Sequence, residues 1–210
     1  MRILGYGEDS LTYWALSQHV TDVISPAPLN DDSLPEMTLF IYRPSFGRAG
    51  GSASPQFGEF DAIVATEKGV YLIESKWTGT PISDGRVRLA ETQIRRHEVF
   101  RWIRERWLAQ APANWTEFYS HNGNVAAFAK RFEDKPLAKP GHRLTSNLQY
   151  ILQQLPGRNA PTVDVLLYFH LEGDRVIPHG VVGALDFVVV PFAFHPLNPE
   201  HGGRVIEMEP

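Results

Sequence analysis

The pattern of apolar residues predicts several helices and strands along the chain. Apolar positions recur at helical spacing in three segments, 9–20, 88–110 and 144–155. Runs rich in β-branched and aromatic residues predict strands at 37–42, 57–66, 70–77, 163–171 and 185–191. The last two runs are continuously apolar, as in strands that are buried on both faces of a sheet. This order predicts a mixed sheet flanked by helices, in an α/β or α+β arrangement.

Two segments lack a clear period. Small residues dominate 47–56, with the sequence GRAGGSASPQ, and they predict a mobile loop between ordered elements. Residues 114–140 have mixed character, and a short helix or a short strand around 125–128 are both compatible with the pattern.

The strands predicted at 57–66 and 70–77 are close enough in sequence to form a β-hairpin. A two-residue turn at Glu67 and Lys68 would place Asp61 directly opposite Glu74. Directly opposed residues have Cβ atoms roughly 4.5–5.5 Å apart. A bulge at Gly69 would shift the register by one residue, so the hairpin pattern leaves two registers open.

Charged residues stand at the end of the second hairpin strand, whose first four positions are Val, Tyr, Leu and Ile. Side chains alternate faces along a strand, so Glu74 and Lys76 share a face with Val70 and Leu72. Burial of two charges there would cost several kcal/mol per ion unless they are paired or bind a metal. Two interpretations of Glu74 and Lys76 without an active site stay open: an ion pair on an exposed strand face, and an ion pair in an oligomer interface.

Asp61 and Glu74 would repel each other if the two-residue turn forms. Like charges at such a distance are unfavourable unless a positive charge lies between them. A hard divalent cation with oxygen ligands meets this requirement, and Lys76 would add positive charge beside it.

The composition and net charge of the chain exclude several kinds of protein and of functional site. The chain has 210 residues, 43% of them hydrophobic and 21% charged, which predicts a single domain. Because cysteine is absent, disulfides, cysteine-based metal sites and thiol nucleophiles are excluded. A net charge of −4 excludes a strongly basic nucleic-acid coat but allows a local basic patch. No apolar run approaches about 20 residues, and the N-terminal sequence does not resemble a signal peptide, so we expect a cytoplasmic protein without a membrane span.

The hairpin motif resembles that of a known enzyme superfamily. Asp61 followed by Glu74-Ser75-Lys76 is similar to the PD-(D/E)xK nucleases, and the segment FGEFDAIVATEKGVYLIESKWTGTPISDG resembles the nuclease-related NERD group. The similarity covers 57–85 and extends loosely to Gly7-Glu8. The proline that often precedes the aspartate is replaced by Phe60, and the rest of the chain carries no matching motif.

The resemblance implies a restriction-endonuclease-like fold and a metal-dependent nuclease. Mg²⁺, with Mn²⁺ as a substitute, would be held by Asp61, Glu74 and Glu8, and Lys76 would lie close to the attacking water. Glu8 has a simpler interpretation, as an acid that interacts favourably with a helix N-terminus. The implied substrate is DNA rather than RNA, in repair, recombination or defence, and a homodimer would allow two strands to be cut. The alternative is a catalytically degenerate nuclease fold that binds nucleic acid or protein.

Several further residues are candidates for supporting roles. Glu59 would share a face with Asp61 and is an alternative ligand, and Gln93 either lies against the site or faces solvent, the latter being favoured. Arg86 and Arg88 follow the Glu-x-Lys strand and are candidates for phosphate contacts. The other arginines of the 88–110 helix alternate with glutamates, so we expect most of them on a solvated, ion-paired face.

Overall fold

The computed structural model describes residues 3–46, 58–121, 123–132, 135–155, 160–174, 176–183, 185–197 and 205–208. The helices in these ranges are α1 (Gly7–Gln18), α2 (Val20–Ile24), α3 (Glu91–Gln110), α4 (Trp115–Ser120), α5 (Asn124–Arg131) and α6 (Arg143–Gln154), with a 3-10 turn at Pro35–Met37. The strands are β1 (Ile3–Tyr6), β2 (Leu39–Tyr42), β3 (Ser45–Phe46), β4 (Gly58–Glu59), β5 (Ala62–Ala65), β6 (Val70–Trp77), β7 (Ile82–Ser83), β8 (Arg86–Arg88), β9 (Thr162–Leu171), β10 (Gly180–Val182), β11 (Val188–Phe194) and β12 (Val205–Met208). The loop predicted at 47–56 lies outside the described residues.

A five-stranded mixed sheet forms the centre of the fold, in the order β11-β9-β6-β5-β2. The pairs β2·β5 and β5·β6 are antiparallel, whereas β6·β9 and β9·β11 are parallel. A short turn connects antiparallel β5 and β6, whereas the parallel pair β6 and β9 needs a long crossover, which here includes α3 to α6. The predicted mixed sheet with flanking helices is therefore confirmed.

The β5–β6 hairpin has the register of a two-residue turn. Ala62 lies opposite Ile73 and Ala65 opposite Val70, and the Thr66 amide donates to the Gly69 carbonyl at 2.9 Å. The bulged alternative is therefore wrong. Asp61 and Glu74 come directly after the last pair of the ladder, at the end where the two strands separate.

Both faces of the sheet are covered, and β6 alternates between two apolar cores. Val70 and Leu72 pack in the core with α3 and α6, whereas Tyr71 and Ile73 pack in the core with α1 and α2. This alternation confirms that Glu74 continues the face of Val70 and Leu72, towards α3.

Some predicted boundaries and environments are wrong. The first helix breaks at His19 into α1 and α2, and α3 begins only at Glu91 because Arg86–Arg88 pairs as strand β8 with β7 and β10. The segment near 125–128 is helical. Strand β11 is not buried on both faces, because it lies at the edge of the sheet. The exposed Pro191 is tolerated in this strand because its lack of an N–H group removes no hydrogen bond to a further strand.

No helix in the described ranges is both long and apolar enough to span a bilayer.

A buried carboxylate fixes the connection before β2 to the hairpin turn. Asp31 is 1% exposed, and its Oδ2 accepts hydrogen bonds from Thr66 Oγ1 at 2.6 Å and from the Tyr71 hydroxyl at 2.7 Å. Its Oδ1 accepts from the Ser33 amide at 3.0 Å. Burial favours the protonated form, but these donors outweigh it and lower the pKa of Asp31.

We expect Asp31→Ala to lower the free energy of unfolding by about 2 kcal/mol at pH 7, because the buried Tyr71 and Thr66 hydroxyls lose their acceptor. Since the folded-state pKa of Asp31 is lowered, this difference should be present above the usual carboxyl pKa and should shrink as the pH falls through the folded-state value. Urea unfolding measures both effects. The matched control is Asp32→Ala, which removes an exposed acid paired with Lys68 and should change stability little; equal losses in the two variants would contradict the prediction.

Candidate active site

Glu74 is the most deeply buried acid of the predicted motif. It is 1% exposed, and its Oε1 accepts a hydrogen bond from Gln93 Nε2. Arg96 Nη1 lies 3.3 Å from Oε2, and Lys76 Nζ lies 3.5 Å from Oε1. The interpretation of Glu74 as part of an exposed surface ion pair is therefore wrong, because the charge is held inside the protein by partners from α3 and β6.

The Lys76 ammonium group bridges acids from two elements. Nζ lies 3.3 Å from Glu8 Oε1 in α1 and 3.5 Å from Glu74 Oε1, and it donates to the Ser75 carbonyl. Burial disfavours the charged amine, but attraction to Glu74, Glu8 and Asp61 outweighs burial and raises the pKa of Lys76. Lys76 is therefore cationic at neutral pH.

Asp61 lies in the bend between β4 and β5, beside the end of β6. Its Oδ2 accepts a hydrogen bond from the Ser75 amide at 2.7 Å. Burial, followed by repulsion from Glu74, raises the pKa of Asp61 to about 7, although the Ser75 hydrogen bond and Lys76 oppose the shift. The predicted proximity of Asp61, Glu74 and Lys76 is thus present.

Glu8 reaches the same place from the first turn of α1. The Thr12 hydroxyl, one turn later, lies 2.7 Å from Ser75 Oγ and 2.8 Å from the Glu8 carbonyl oxygen. This contact seats the start of α1 against β6, on the face opposite Glu74. Burial is the main reason that the pKa of Glu8 is raised, and it outweighs the attraction of Lys76.

The two opposed acids have pKa shifts in opposite directions. Burial would raise the pKa of Glu74, but a contact with His97, the Lys76 charge and the Arg96 charge outweigh burial and lower it. Asp61 lacks such an excess of positive partners, so its pKa rises instead. The site therefore combines one carboxylate that stays ionised with one that holds a proton near neutral pH.

The chemistry of these donors fits a hard divalent cation. Asp61, Glu74 and Glu8 supply carboxylate oxygens, and a cation would relieve the unfavourable burial and repulsion of Asp61 and Glu8. Within the described ranges, no three acidic or histidine side chains are already arranged as a coordination shell. Both oxygens of Glu74 are instead contacted by side chains of the protein, Gln93 and Lys76 on Oε1 and Arg96 on Oε2.

Gln93 faces the site, so the favoured prediction that it faces solvent is wrong. Its Oε1 accepts from the Ala90 amide at 2.8 Å at the start of α3. This bond fixes the orientation of the amide and directs Nε2 to Glu74.

A buried network behind Glu74 was not predicted from the sequence. His97 is 0% exposed, and its Nδ1 lies 2.9 Å from Asp164 Oδ1 in β9. Arg101 donates to the other oxygen of Asp164 at 2.6 Å. His97 Nε2 lies 3.9 Å from Glu74 Oε2, too far for a hydrogen bond, and has no hydrogen-bond partner among the described residues.

Two sequence signals could have identified this network. Gln93, Arg96 and His97 have the i, i+3 and i+4 spacing that places side chains on one face of a helix. Asp164 is an isolated charge within the apolar run of β9, where an unpaired carboxylate would be costly.

The remaining predicted residues lie in different surroundings. Glu59 forms an ion pair with Arg43 at 3.0 Å, and Arg86 and Arg88 are exposed on β8. The solvated arginine face predicted for α3 is wrong in part, because Arg96 and Arg104 are buried; Arg104 donates to Thr162 Oγ1 and to the Ala160 carbonyl.

Comparison of the chain with protein-family models, with curated proteins and with solved structures gives no match in any of the three. The resemblance to the NERD group therefore depends on the motif of this chain alone.

We expect the metal-free protein to lose stability relative to Asp61→Asn as the pH rises from about 4 to 7. Folded Asp61 keeps its proton up to about pH 7, whereas the unfolded chain releases it near pH 4. The rising pH therefore favours the unfolded state, with a slope of at most about 1.4 kcal/mol per pH unit. Urea unfolding in EDTA measures the slope. Asp32→Asn, an exposed control, should follow wild type, and parallel curves for wild type and Asp61→Asn would refute the shift.

Proposed function

We propose that this protein is a metal-dependent nuclease that hydrolyses phosphodiester bonds in DNA. The observation that carries the proposal is the meeting of Asp61, Glu74 and Lys76 at one end of β6, with Glu8 in contact with Lys76. Three acids and one half-buried lysine at a strand end are an unfavourable arrangement for stability alone. They are the side-chain types that metal-assisted phosphoryl chemistry uses.

The architecture supports a restriction-endonuclease-like fold. An antiparallel hairpin carries Asp61 and the Glu-x-Lys sequence, a parallel strand follows across the sheet, and helices cover both faces. This is the arrangement that the motif's resemblance to PD-(D/E)xK nucleases implies.

Each motif residue has a role that its surroundings support. A divalent cation, held by Asp61, Glu74 and Glu8, would neutralise the phosphate and supply hydroxide near neutral pH. Lys76, held by two carboxylates, can orient the attacking water or stabilise the charge that develops on the phosphate. Gln93 and Arg96 keep Glu74 in place and ionised. Asp61 must lose its proton to act as a ligand, so activity should rise as the pH approaches and passes 7.

The substrate proposal uses the exposed arginines of β8. Arg86 and Arg88 lie on the same side of this short strand and can contact phosphates without giving sequence specificity. DNA is proposed rather than RNA, in repair, recombination or defence within the cytoplasm, and a homodimer would bring two sites to the two strands.

A degenerate nuclease fold that only binds nucleic acid is the second candidate. The observation that favours it is that both oxygens of the Glu74 carboxylate are already contacted by Gln93, Lys76 and Arg96. In addition, no group of three acidic or histidine side chains among the described residues is arranged to hold a metal ion. In this case the acids are balanced by the protein's own cations and no metal is bound.

We expect wild type to nick supercoiled DNA with Mg²⁺ or Mn²⁺ and not with EDTA. Asp61→Ala and Lys76→Met should lower the rate about a hundredfold or more, because interactions worth several kcal/mol at the reacting phosphate are lost. Asp32→Ala, which removes an exposed acid paired with Lys68 at the turn end of the hairpin, away from Asp61 and Glu74, should keep full activity.

Calorimetry with Mn²⁺ separates the two candidate functions. A nuclease binds Mn²⁺ in wild type and weakly or not at all in Asp61→Ala. Binding of DNA without Mn²⁺ binding, and without cleavage in either protein, would support the degenerate module instead.

A further inference from the structure

Arg43 has an unusual backbone conformation next to the candidate active site. It follows β2, and its φ angle of 47° is in the left-handed region that residues other than glycine rarely adopt. Its amide donates to the Asp61 carbonyl at 3.1 Å. The backbone of Arg43 therefore holds the bend from which Asp61 reaches the site.

The guanidinium group of Arg43 connects two more segments of the site. One nitrogen donates to Asp9 Oδ2, in the first turn of α1 and next to Glu8. The other donates to Glu59 Oε2 at 3.0 Å, in the strand that leads to Asp61. The planar fork of arginine directs its donors to two carboxylates in a fixed geometry, whereas the ammonium group of lysine is a point charge on a flexible stem and fixes no such geometry.

Stability alone does not account for this arrangement. The Arg43 and Asp9 side chains are 33% and 53% exposed, and an ion pair this exposed contributes little to folding. The Glu59 side chain is 17% exposed, so its pair with Arg43 is the more buried of the two. The left-handed backbone opposes folding, and such strain is concentrated at functional sites. The contacts instead join the two segments that carry Glu8 and Asp61.

We propose that Arg43 is a positioning residue that fixes the positions of Glu8 and Asp61 relative to each other. It acts through Asp9 and Glu59 and through its own amide, and it has no contact with the reacting atoms. Because both Nη atoms of Arg43 already donate to carboxylates, we assign it this positioning role rather than a contact with phosphate. The proposal rests on the nuclease function for its catalytic consequence, but the positioning itself is measurable without activity.

Arg43→Gly and Ala111→Gly form a matched pair for the test. Ala111 ends α3 with a φ angle of 46°, so glycine relieves the same backbone strain at both positions. Only Arg43→Gly removes the guanidinium fork. Arg43→Lys keeps the charge and the strain but loses the fork.

Hydrogen exchange and cleavage are then measured on the full chain. We expect faster exchange in peptides covering 5–12 and 58–62 for Arg43→Gly and Arg43→Lys, with wild-type exchange there for Ala111→Gly. The urea midpoint of Arg43→Gly should stay close to that of wild type. The affinity for Mn²⁺ and kcat should each fall about tenfold or more in both Arg43 variants, with KM for DNA nearly unchanged, because no DNA contact is lost.

Two results would overturn the proposal. One is wild-type exchange in both peptides of Arg43→Gly, whatever the activity. The other is faster exchange with unchanged Mn²⁺ affinity and kcat in an active enzyme. If wild type neither binds Mn²⁺ nor cleaves while the two peptides still loosen in the Arg43 variants alone, the nuclease function fails and the positioning of the two segments stands.

Discussion

The buried charge of Glu74 is the constraint on which the site depends. A carboxylate that is 1% exposed must be hydrogen-bonded and paired, since isolation in the interior costs several kcal/mol. Its partners come from β6 itself and from the first half of α3, through Lys76, Gln93 and Arg96. The helix therefore has to lie across the sheet with its polar face over the end of β6, and the same packing buries its apolar residues.

The parts of the site that were predicted correctly depend on short-range geometry. A two-residue turn sets the register of β5 and β6, and strand alternation then fixes the face of Glu74. Both rules act within 20 residues, so a single sequence is enough to place Asp61, Glu74 and Lys76 together. The mixed sheet was predicted from the order of helical and strand segments along the chain.

The missed residues depend on contacts between distant segments. The spacing of arginines and glutamates along α3 suits a solvated face, yet Arg96 and Arg104 are buried because Glu74 and Thr162 of the sheet supply acceptors that are remote in sequence. His97 and Asp164 are 67 positions apart in the sequence, and they meet because α3 packs on the sheet in which β9 pairs with β6. The left-handed conformation of Arg43 could not be predicted from the sequence, because such a conformation is ordinarily indicated by glycine or asparagine and this position is arginine.

The opposite pKa shifts of Glu74 and Asp61 explain why one set of residues is compatible with both candidate functions. Glu74 is neutralised by fixed cations of the protein, whereas Asp61 is neutralised near pH 7 by a proton, which can leave. A divalent cation bound by Asp61 and Glu8 would compete with that proton and with the Lys76 contact, but it would not need to displace Arg96 from Glu74, because each carboxylate oxygen has two lone pairs. The two proposed functions therefore differ in what would happen at Asp61 and Glu8, the two acids of the site whose pKa values are raised.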